Sequence, residues 1–349
     1  MSLAAAGAIA LAAATDRAFG EPPTRFHPVA WLGRLVGGID ARVPDTRLVG
    51  VGIAVGIPTG FGLALAGLVL AGAASTRTAV GSGEGVTAMV LAAGALFVCS
   101  SHRMLLEVAT DVVALSVSDL EEARRELRAL AGRDASDLSP AYVRSAAVES
   151  AAENVADGLI APLMGFTIGA LAASGLGHTT VEGLAVAAGV AGWVKGVNTL
   201  DSMLGYRHRI AGWAPARLDD AVMWLPARVA ALLLLAAGRL TRQQRENRHS
   251  PGPTVRPSVG QTAGIPDSPN AGWPLASLAA LLDCRLETPG SYTLYPHRPL
   301  PTPPVAHAGV RAVSRPRRPG LGPPGVVAPR LPRVIPPSVC VRWLRPSAP

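Results

Sequence analysis

Long apolar runs alternate with polar links along the chain. One run is long enough to cross a bilayer, since a spanning helix needs about 20 apolar residues. The others are shorter or interrupted, and we expect them to tilt or to cross only partly. The pattern predicts an all-α, multi-pass helical membrane protein with polar loops at its cytoplasmic face. The spanning run covers about residues 48–74, and the others cover 1–14, 86–99, 159–176 and 183–197.

Two runs need separate interpretation. A secretory signal carries a lysine or arginine before its apolar region. The run at 1–14 has none, so we interpret it as a first membrane helix. Residues 222–237 contain Arg228 and leave about ten uninterrupted apolar residues, which is too few to span. We interpret this second run as re-entrant or lying in the membrane plane.

The polar links differ in charge. Links 15–47, 100–158 and 198–222 carry several arginines each, whereas link 75–85 carries one and link 177–182 carries none. Positively charged loops stay on the cytoplasmic side of a membrane. The alternation therefore places the long links in the cytoplasm of a protein of the inner (plasma) membrane.

The polar segments also carry local structural signals. Residues 118–131 have the pattern of an amphipathic helix, and Ser139 and Pro140 are suited to begin the next helix. Residues 241–267 are rich in proline, serine and arginine and predict a loop or a disordered insert. Residues 268–274, SPNAGWP, predict a tight turn.

Composition supports the membrane assignment and separates off a tail. Charged residues make up 16% of the chain, against about 25% in soluble domains. From Tyr292 onward there are nine arginines, 15 of the 31 prolines and no acid. Removing those nine from the 32 basic residues leaves 23 against 24 acids, so the net charge of +8 gives no reason to expect nucleic acid as a partner.

The tail shows neither helical nor strand periodicity and cannot bury enough surface to fold alone. We therefore expect an integral membrane domain over residues 1–291 and a Pro/Arg-rich tail over 292–349. Two interpretations of the tail stay open: a disordered basic extension, or a C-terminus translated in a shifted frame.

An acidic helix is the first candidate for chemistry. Glu149, Glu153 and Asp157 recur every four residues, so they share one helix face, with Asn154 on its flank. Stacked carboxylates repel one another unless cations or donors meet them. A solvated acidic face is the plain alternative, but ionisable groups beside membrane spans often mark function.

A second polar face follows the run at 183–197. Lys195, Asn198, Asp201 and Ser202 are spaced to lie on one side of a helix. A lysine, an amide, a carboxylate and a hydroxyl together suit an anionic, metal-bridged ligand. A polar stripe between packed helices is the alternative.

Two further clusters complete the set. Arg217, Asp219 and Asp220 precede Arg228, and paired aspartates suit Mg²⁺, which binds one or two carboxylates together with phosphate oxygens. Near the N-terminus, a proline-rich loop holds two candidate residues or is a simple turn between helices. No Walker A, GxGxxG or HExxH motif is present. The two loop residues are Glu21 and His27.

Four stretches in this order resemble the adenosylcobinamide-phosphate synthase family of cobalamin biosynthesis. The resemblance covers about residues 10–295, and the ordered set is far more specific than any single motif. The stretches are AGRDASDLSPAYVRSAAVESAAENVADGLIAPL, KGVNTLDSMLGYR, GWAPARLDDAVMWLPAR and SPNAGWP.

The resemblance implies an integral membrane enzyme that uses ATP and Mg²⁺. It would form an amide between a propionate carboxyl of adenosylcobyric acid and aminopropanol or its phosphate. The implied partners are the corrinoid, the aminopropanol compound, the lipid bilayer and other membrane proteins of cobalamin assembly.

The resemblance also implies roles for the polar clusters. The acids of the helix would hold Mg²⁺ or accept the proton of the amine, cationic side chains would face phosphate, and amides and hydroxyls would position substrate. The catalytic candidates are Glu149, Glu153, Asp157 and Lys195; the substrate- or phosphate-binding candidates are Asn154, Asn198, Asp201, Ser202, Arg217, His27 and Glu21; the metal-binding candidates are Asp219 and Asp220.

Two other classes of function stay open. A membrane transporter would also use intramembrane carboxylates and broken helices, although the apolar pattern shows no inverted repeat. A non-catalytic membrane assembly partner is the third possibility, and it is favoured by the departure of the tail from the family pattern.

Overall fold

The computed structural model describes residues 2–20, 22–100, 102–131, 135–206, 209–246 and 259–313. Over these ranges the chain forms α-helices, one short antiparallel hairpin, a 3₁₀ turn and a π turn. The elements are α1 (Leu3–Phe19), the 3₁₀ turn (Thr24–Phe26), α2 (Pro28–Asp40), α3 (Arg47–Val80), α4 (Glu84–Cys99), α5 (His102–Ser118), α6 (Leu120–Ala131), α7 (Pro140–Val155), the π turn (Ala156–Ile160), α8 (Ala161–Gly175), α9 (Thr180–Leu204), α10 (Trp213–Val222), α11 (Trp224–Glu246), α12 (Val259–Thr262), α13 (Gly272–Leu282), β1 (Leu286–Thr288), β2 (Tyr292–Leu294) and α14 (Pro303–Val313).

Three stretches of the described chain are long and apolar enough to cross a membrane. They are α3, the α4–α5 stretch Glu84–Ser118, and Pro140–Gly175, which joins α7, the π turn and α8. The prediction of a multi-pass helical membrane protein is therefore confirmed. The runs at 1–14 and 183–197 form α1 and most of α9, which are not among these stretches, so their crossing stays a prediction.

The pair α10 and α11 is bent by 46°, which fits either a broken span or a re-entrant loop. The re-entrant interpretation of residues 222–237 therefore also stays a prediction.

Helices α3 and α9 approach one another through glycines. A Cβ at Gly62 would lie 2.6 Å from the carbonyl oxygen of Gly189, and one at Gly196 would lie 2.9 Å from Cα of Pro58. Lipid provides no hydrophobic driving force between helices, so their association depends on van der Waals packing. Small residues strengthen this packing because they let two helix backbones come into contact. This glycine seam (Gly62, Gly189 and Gly196) fixes the position of α9 in the bundle.

A hydrophobic core, separate from the glycine seam, joins α5, α6, α7, α13, the hairpin and α14. The amphipathic pattern of residues 118–131 is confirmed by α6, whose Leu127 and Leu130 are fully buried in this core. Leu286 and Leu294 of the hairpin are buried there as well, and they pair across the two strands.

The helix-boundary signals are mostly confirmed. Ser139 is the N-cap of α7 with Pro140 in its first turn, and the SPNAGWP segment turns directly into α13. The loop predicted over 241–267 is wrong at its start, because α11 continues to Glu246. Residues 247–258 lie outside the described residues.

The tail boundary at Tyr292 is also wrong. Residues 292–313 form β2 and α14, so the folded part of the chain extends past the proposed domain end. Arg144 of α7 donates from Nε to the carbonyl oxygen of Pro301 at 2.8 Å, and Tyr292 donates its hydroxyl to Oε2 of Glu149 at 2.8 Å. This segment is held by residues about 150 positions earlier, which no local periodicity can reveal. Both interpretations of residues 314–349 concern positions outside the described residues.

The buried hydroxyl of Tyr292 should stabilise this junction measurably. We expect Tyr292→Phe to lower the free energy of unfolding by about 2 kcal/mol, because a buried acceptor on Glu149 loses a donor. Tyr142→Phe is the matched control: its hydroxyl reaches Oε1 of Glu287 at 3.4 Å in a partly exposed setting, so the loss should be about 0.5 kcal/mol or less. Reversible unfolding by sodium dodecyl sulfate in mixed micelles measures both. Equal losses in the two variants would contradict the junction.

Candidate functional site

The last turns of α9 carry a buried polar face. Lys195, Asn198, Asp201 and Ser202 are all at least nine-tenths buried, although the rest of α9 packs among alanines, glycines and valines. Burial of charged groups is costly unless partners compensate for lost water. The sequence prediction that these four side chains share one helix is confirmed, and their burial makes them the centre of the candidate site.

Gly205 makes room for one of these carboxylates. A Cβ at this position would overlap Oδ1 of Asp201, and the backbone N–H of Gly205 donates to the carbonyl oxygen of Asp201 at 2.8 Å. The carboxylate of Asp201 thus lies against Gly205, at the C-terminal end of α9.

The π turn brings the acidic helix to α9. Asp157 lies within this turn, and Asn198 donates from Nδ2 to Oδ2 of Asp157 at 3.2 Å. Single π turns inserted in α-helices are frequent at functional sites, because the extra residue re-aims the side chains that follow. This hydrogen bond joins the acidic helix and the polar face of α9 in space.

Glu149 has a different environment from Asp157, which corrects the prediction of one stacked acidic face. Its Oε1 accepts from Ser145, and its Oε2 accepts from Thr288 and Tyr292, each at 2.8 Å. Both oxygens are thus engaged by hydroxyls, two of them from the hairpin. The carboxylate holds α7 to the C-terminal segment, away from the contact of Asp157 with α9.

Glu153 and Asn154, which lie between Glu149 and Asp157 in the sequence, differ in exposure. Glu153 is half-buried, and Asn154 is buried with its Nδ2 donating to the carbonyl oxygen of Ser150 at 2.8 Å. The π turn interrupts the four-residue spacing after Glu153, so the regular stack expected from sequence does not persist through Asp157.

His27 links the N-terminal cluster to α9. It is the N-cap of α2, and its Nδ1 accepts from the backbone N–H of Val29 at 3.2 Å. Burial and the positive charge of Lys195 lower the pKa of His27 from 6.5 to about 4, so the imidazole is neutral at pH 7. Helix α2, which begins directly after His27, packs against α9, the helix that carries Lys195. Glu21 lies outside the described residues.

The aspartates of α10 lie at different depths. Asp219 is buried and Asp220 is half-buried, and α10 packs against α9 and α3. Arg217 is 68% exposed in its side chain and pairs with Oδ2 of Asp220 at 3.4 Å. The expectation that Arg217 faces phosphate beside Lys195 is not supported by this geometry, because its guanidinium lies on the surface.

Mg²⁺ fits this set of residues only with phosphate as a co-ligand. In the part of the chain that the structure describes, no three His, Cys, Asp or Glu side chains are grouped to hold a metal ion. Magnesium bound through substrate phosphates needs only one or two protein carboxylates. Asp157 beside Asn198, with Asp201 one turn further along α9, meets that smaller requirement.

Arg228 is a candidate that the sequence reasoning named without assigning it a role. Its guanidinium lies between the rings of Trp224 at 4.3 Å and Trp273 at 5.0 Å, and Nη1 donates to Oδ1 of Asn270 at 3.2 Å. Asn270 in turn donates from Nδ2 to the carbonyl oxygen of Asp220 at 2.8 Å. Stacking on indole rings and a fixed amide orient an arginine for an anion. The signal in the sequence was the asparagine and tryptophan of the SPNAGWP turn.

Arg209 is a second residue without an assigned role. It pairs with Asp40 at the end of α2 and with Asp45 at 3.5 Å, and Asp45 also accepts from the N–H of Ala211 at 2.8 Å. These bonds lower the pKa of Asp45 below its usual value, the bond from Ala211 most of all. They clamp the loop after α9 to the α2–α3 connection.

Comparison with known proteins agrees with the motifs. A family model described as CobD/Cbib protein matches residues 9–314. The chain is 32% identical over 295 residues to the probable cobalamin biosynthesis protein CobD of Methanothrix thermoacetophila, covering 81% of this chain and 84% of that protein. It is 35% identical over 288 residues to the cobalamin biosynthesis protein CobD of Klebsiella pneumoniae, covering 79% and 80%. No solved structure matches.

The depressed pKa of His27 predicts a specific pH dependence of stability. Because its folded pKa of about 4 lies below its unfolded value of 6.5, the unfolded chain binds the proton first and stability falls as the pH drops through this window. The loss should reach about 2 kcal/mol at pH 5 relative to pH 7. His27→Asn keeps an acceptor for the helix cap and should remove this part of the slope. Unfolding in mixed micelles at both pH values measures it, and an unchanged slope would contradict the assignment.

Proposed function

We propose a reaction for this chain, which belongs to the CobD/Cbib family and is therefore an enzyme of cobalamin biosynthesis. The reaction joins a propionate carboxyl of adenosylcobyric acid to the amine of aminopropanol phosphate, or of free aminopropanol, at the expense of ATP. The product is adenosylcobinamide phosphate or adenosylcobinamide.

The observation that carries the proposal is the contact of Asp157 with Asn198 beside Lys195 and Asp201. It brings half-buried Asp157 to the helix that carries buried Lys195, Asn198 and Asp201, so a cation, two carboxylates and an amide belong to one site between α9 and the π turn. This set matches the requirements of phosphoryl transfer, which needs positioning and charge stabilisation more than covalent chemistry from the protein.

The chemistry proceeds through an activated carboxyl group. A carboxylate is a poor acyl donor, so its oxygen first attacks the γ-phosphorus of ATP, which gives an acyl phosphate and ADP. The amine then attacks the carbonyl carbon, and phosphate leaves with the former carboxylate oxygen. The proton of the amine passes to a base, for which half-buried Glu153 is placed beside the π turn.

The residues of the site have separate tasks in this scheme. Lys195 offsets charge on the transferred phosphoryl group, and Asn198 and Ser202 orient the ligand. Asp157 and Asp201 would hold Mg²⁺, which supplies further charge neutralisation when bound. Arg228, held by Asn270 between two tryptophans, receives the phosphate of aminopropanol phosphate.

ATP enters from the cytoplasm, so we propose that this site opens to the cytoplasmic side of the inner membrane. Outside the candidate spans, the arginine-rich segments 15–46, 119–139 and 198–222 support this orientation. Other membrane proteins of cobalamin assembly would receive the product there.

The bent pair α10–α11 also suits a transporter, whose binding sites are often built at broken helices. A single assay separates the functions. Purified protein is incubated with adenosylcobyric acid, aminopropanol phosphate and Mg-ATP, and the corrinoid product and ADP are followed. Formation of both in equal amounts supports the enzyme. Absence of both, together with corrinoid uptake by lipid vesicles into which the same protein is reconstituted, would favour transport.

Asp201 should be essential to the reaction. We expect Asp201→Asn or Glu153→Gln to lower kcat at least 100-fold, which is about the effect of removing one group that stabilises a transition state. Asp137→Asn, which changes an exposed acid, is the control and should keep full activity. Membrane insertion and unfolding of all three variants are measured in parallel. Full activity of a well-folded Asp201→Asn protein would contradict an essential role of Asp201 in the reaction.

Arg228 and Arg217 should behave differently. Arg228→Gln should raise KM for aminopropanol phosphate about tenfold and leave KM for free aminopropanol unchanged, because only the first carries an anion. Arg217→Gln removes an exposed guanidinium and should change neither value by more than about twofold. Steady-state kinetics with both amines decides, and the opposite ranking would exchange the roles of the two arginines.

A further inference from the structure

A shallow groove lies along α2 and the turn that follows it. Arg34 on α2 and Arg42 in the turn after it stand on either side of Gly38. Between them the floor is apolar. The groove is lined by Arg34, Leu35, Gly38, Ile39, Arg42 and Val43, among which there is no acid.

The groove has both components of a site for an amphiphilic anion. Arg34 and Arg42 are exposed, and Arg42 also donates from Nη1 to the carbonyl oxygen of Gly38 at 2.5 Å, which holds its guanidinium over the gap. Leu35 is 54% exposed although it is apolar. The floor of the groove is part of a small core, because half-buried Ile39 and Val43 pack against the cluster of Val36, Ile53 and Leu200.

The groove lies close in sequence to the start of α3, a candidate membrane span. Val43 lies four residues before α3, so it is within about 14 Å of the first residue of that candidate span. Leu48 and Val55 are exposed from the first turns of α3 onward, so the contact of α3 with lipid begins at this end. The groove therefore lies at the level of the lipid headgroups.

Aromatic residues mark the same level. Trp31 of α2 is half exposed and donates from Nε1 to the carbonyl oxygen of Arg25 at 2.9 Å, and Trp213 is stacked against the guanidinium of Arg47 at 5.4 Å. Tryptophans are enriched where a membrane meets water, and arginines there attract anionic lipids.

We propose that this groove binds one anionic phospholipid from the bilayer that α3 crosses. The phosphate lies between Arg34 and Arg42, and the first part of an acyl chain covers Leu35, Ile39 and Val43. This site is independent of the proposed reaction, and it ties α2, whose first residue follows His27, to the membrane surface.

Native mass spectrometry of the full chain in detergent tests the proposal. The protein is titrated with phosphatidylglycerol, with phosphatidylcholine of the same acyl chains, and with inorganic phosphate at matched ionic strength. We expect one phosphatidylglycerol per protein to bind about tenfold more tightly than phosphatidylcholine. Equal affinity for the two lipids, or displacement of phosphatidylglycerol by inorganic phosphate, would overturn it.

Matched variants locate the site. The double variant Arg34→Gln/Arg42→Gln should lose the preference for phosphatidylglycerol, whereas Arg77→Gln, at the opposite end of α3, should keep it. Gly38→Leu fills the groove without removing charge, since its Cβ would meet only the flexible end of Arg42, at 3.3 Å. It should weaken binding to a similar extent. Unchanged preference in the double variant, or equal loss in Arg77→Gln, contradicts the site; unfolding in mixed micelles confirms that each variant is folded.

Discussion

The close contact of α3 with α9 is the constraint on which the rest of the structure depends. Glycines on both helices let the two backbones touch, and a side chain at Gly62 or Gly196 would force them apart. Because α9 is fixed by this seam, its polar last turns are held among helices where water is excluded. The same turns then meet the π turn after α7 through Asn198, and α9 packs against α2 and α10. A widening of the seam would shift Asn198 away from Asp157, so the site is only as well formed as this helix contact.

The acidic helix serves two purposes that its even spacing does not distinguish. Glu149, with both oxygens engaged by hydroxyls, fastens the C-terminal hairpin to α7. Asp157, two turns further along the chain in the π turn, instead accepts a hydrogen bond from Asn198 of α9. The hairpin thus supports the helix that supplies the site. Loss of the C-terminal segment would therefore disturb the position of Asp157 without touching it directly.

The sequence was sufficient for the helices and for much of the site, but only where the signal is local. The apolar run at 48–74 predicted α3 as a span, whereas the other two candidate spans extend beyond their apolar runs into the predicted link 100–158. Side-chain spacing along α9 predicted a shared polar face from Lys195 to Ser202. The π turn was not predictable, because one extra residue in a helix leaves no trace in composition. The hairpin partners of Glu149, Thr288 and Tyr292, were missed because they lie more than 130 residues away along the chain. The exposure of Arg217 and the enclosure of Arg228 depend on how α10 and α11 pack, which neighbouring residues in the sequence do not determine.

We propose that this chain activates a corrin carboxylate by phosphorylation before the amine attacks. Transfer of oxygen tests it most directly. Adenosylcobyric acid labelled with ¹⁸O in the reacting carboxylate is converted by the purified protein with unlabelled Mg-ATP and aminopropanol phosphate, and the released phosphate is analysed by mass spectrometry. The account predicts one ¹⁸O atom in inorganic phosphate for each amide formed. Amide formation with ¹⁸O absent from phosphate, or with the label found in AMP, would contradict it.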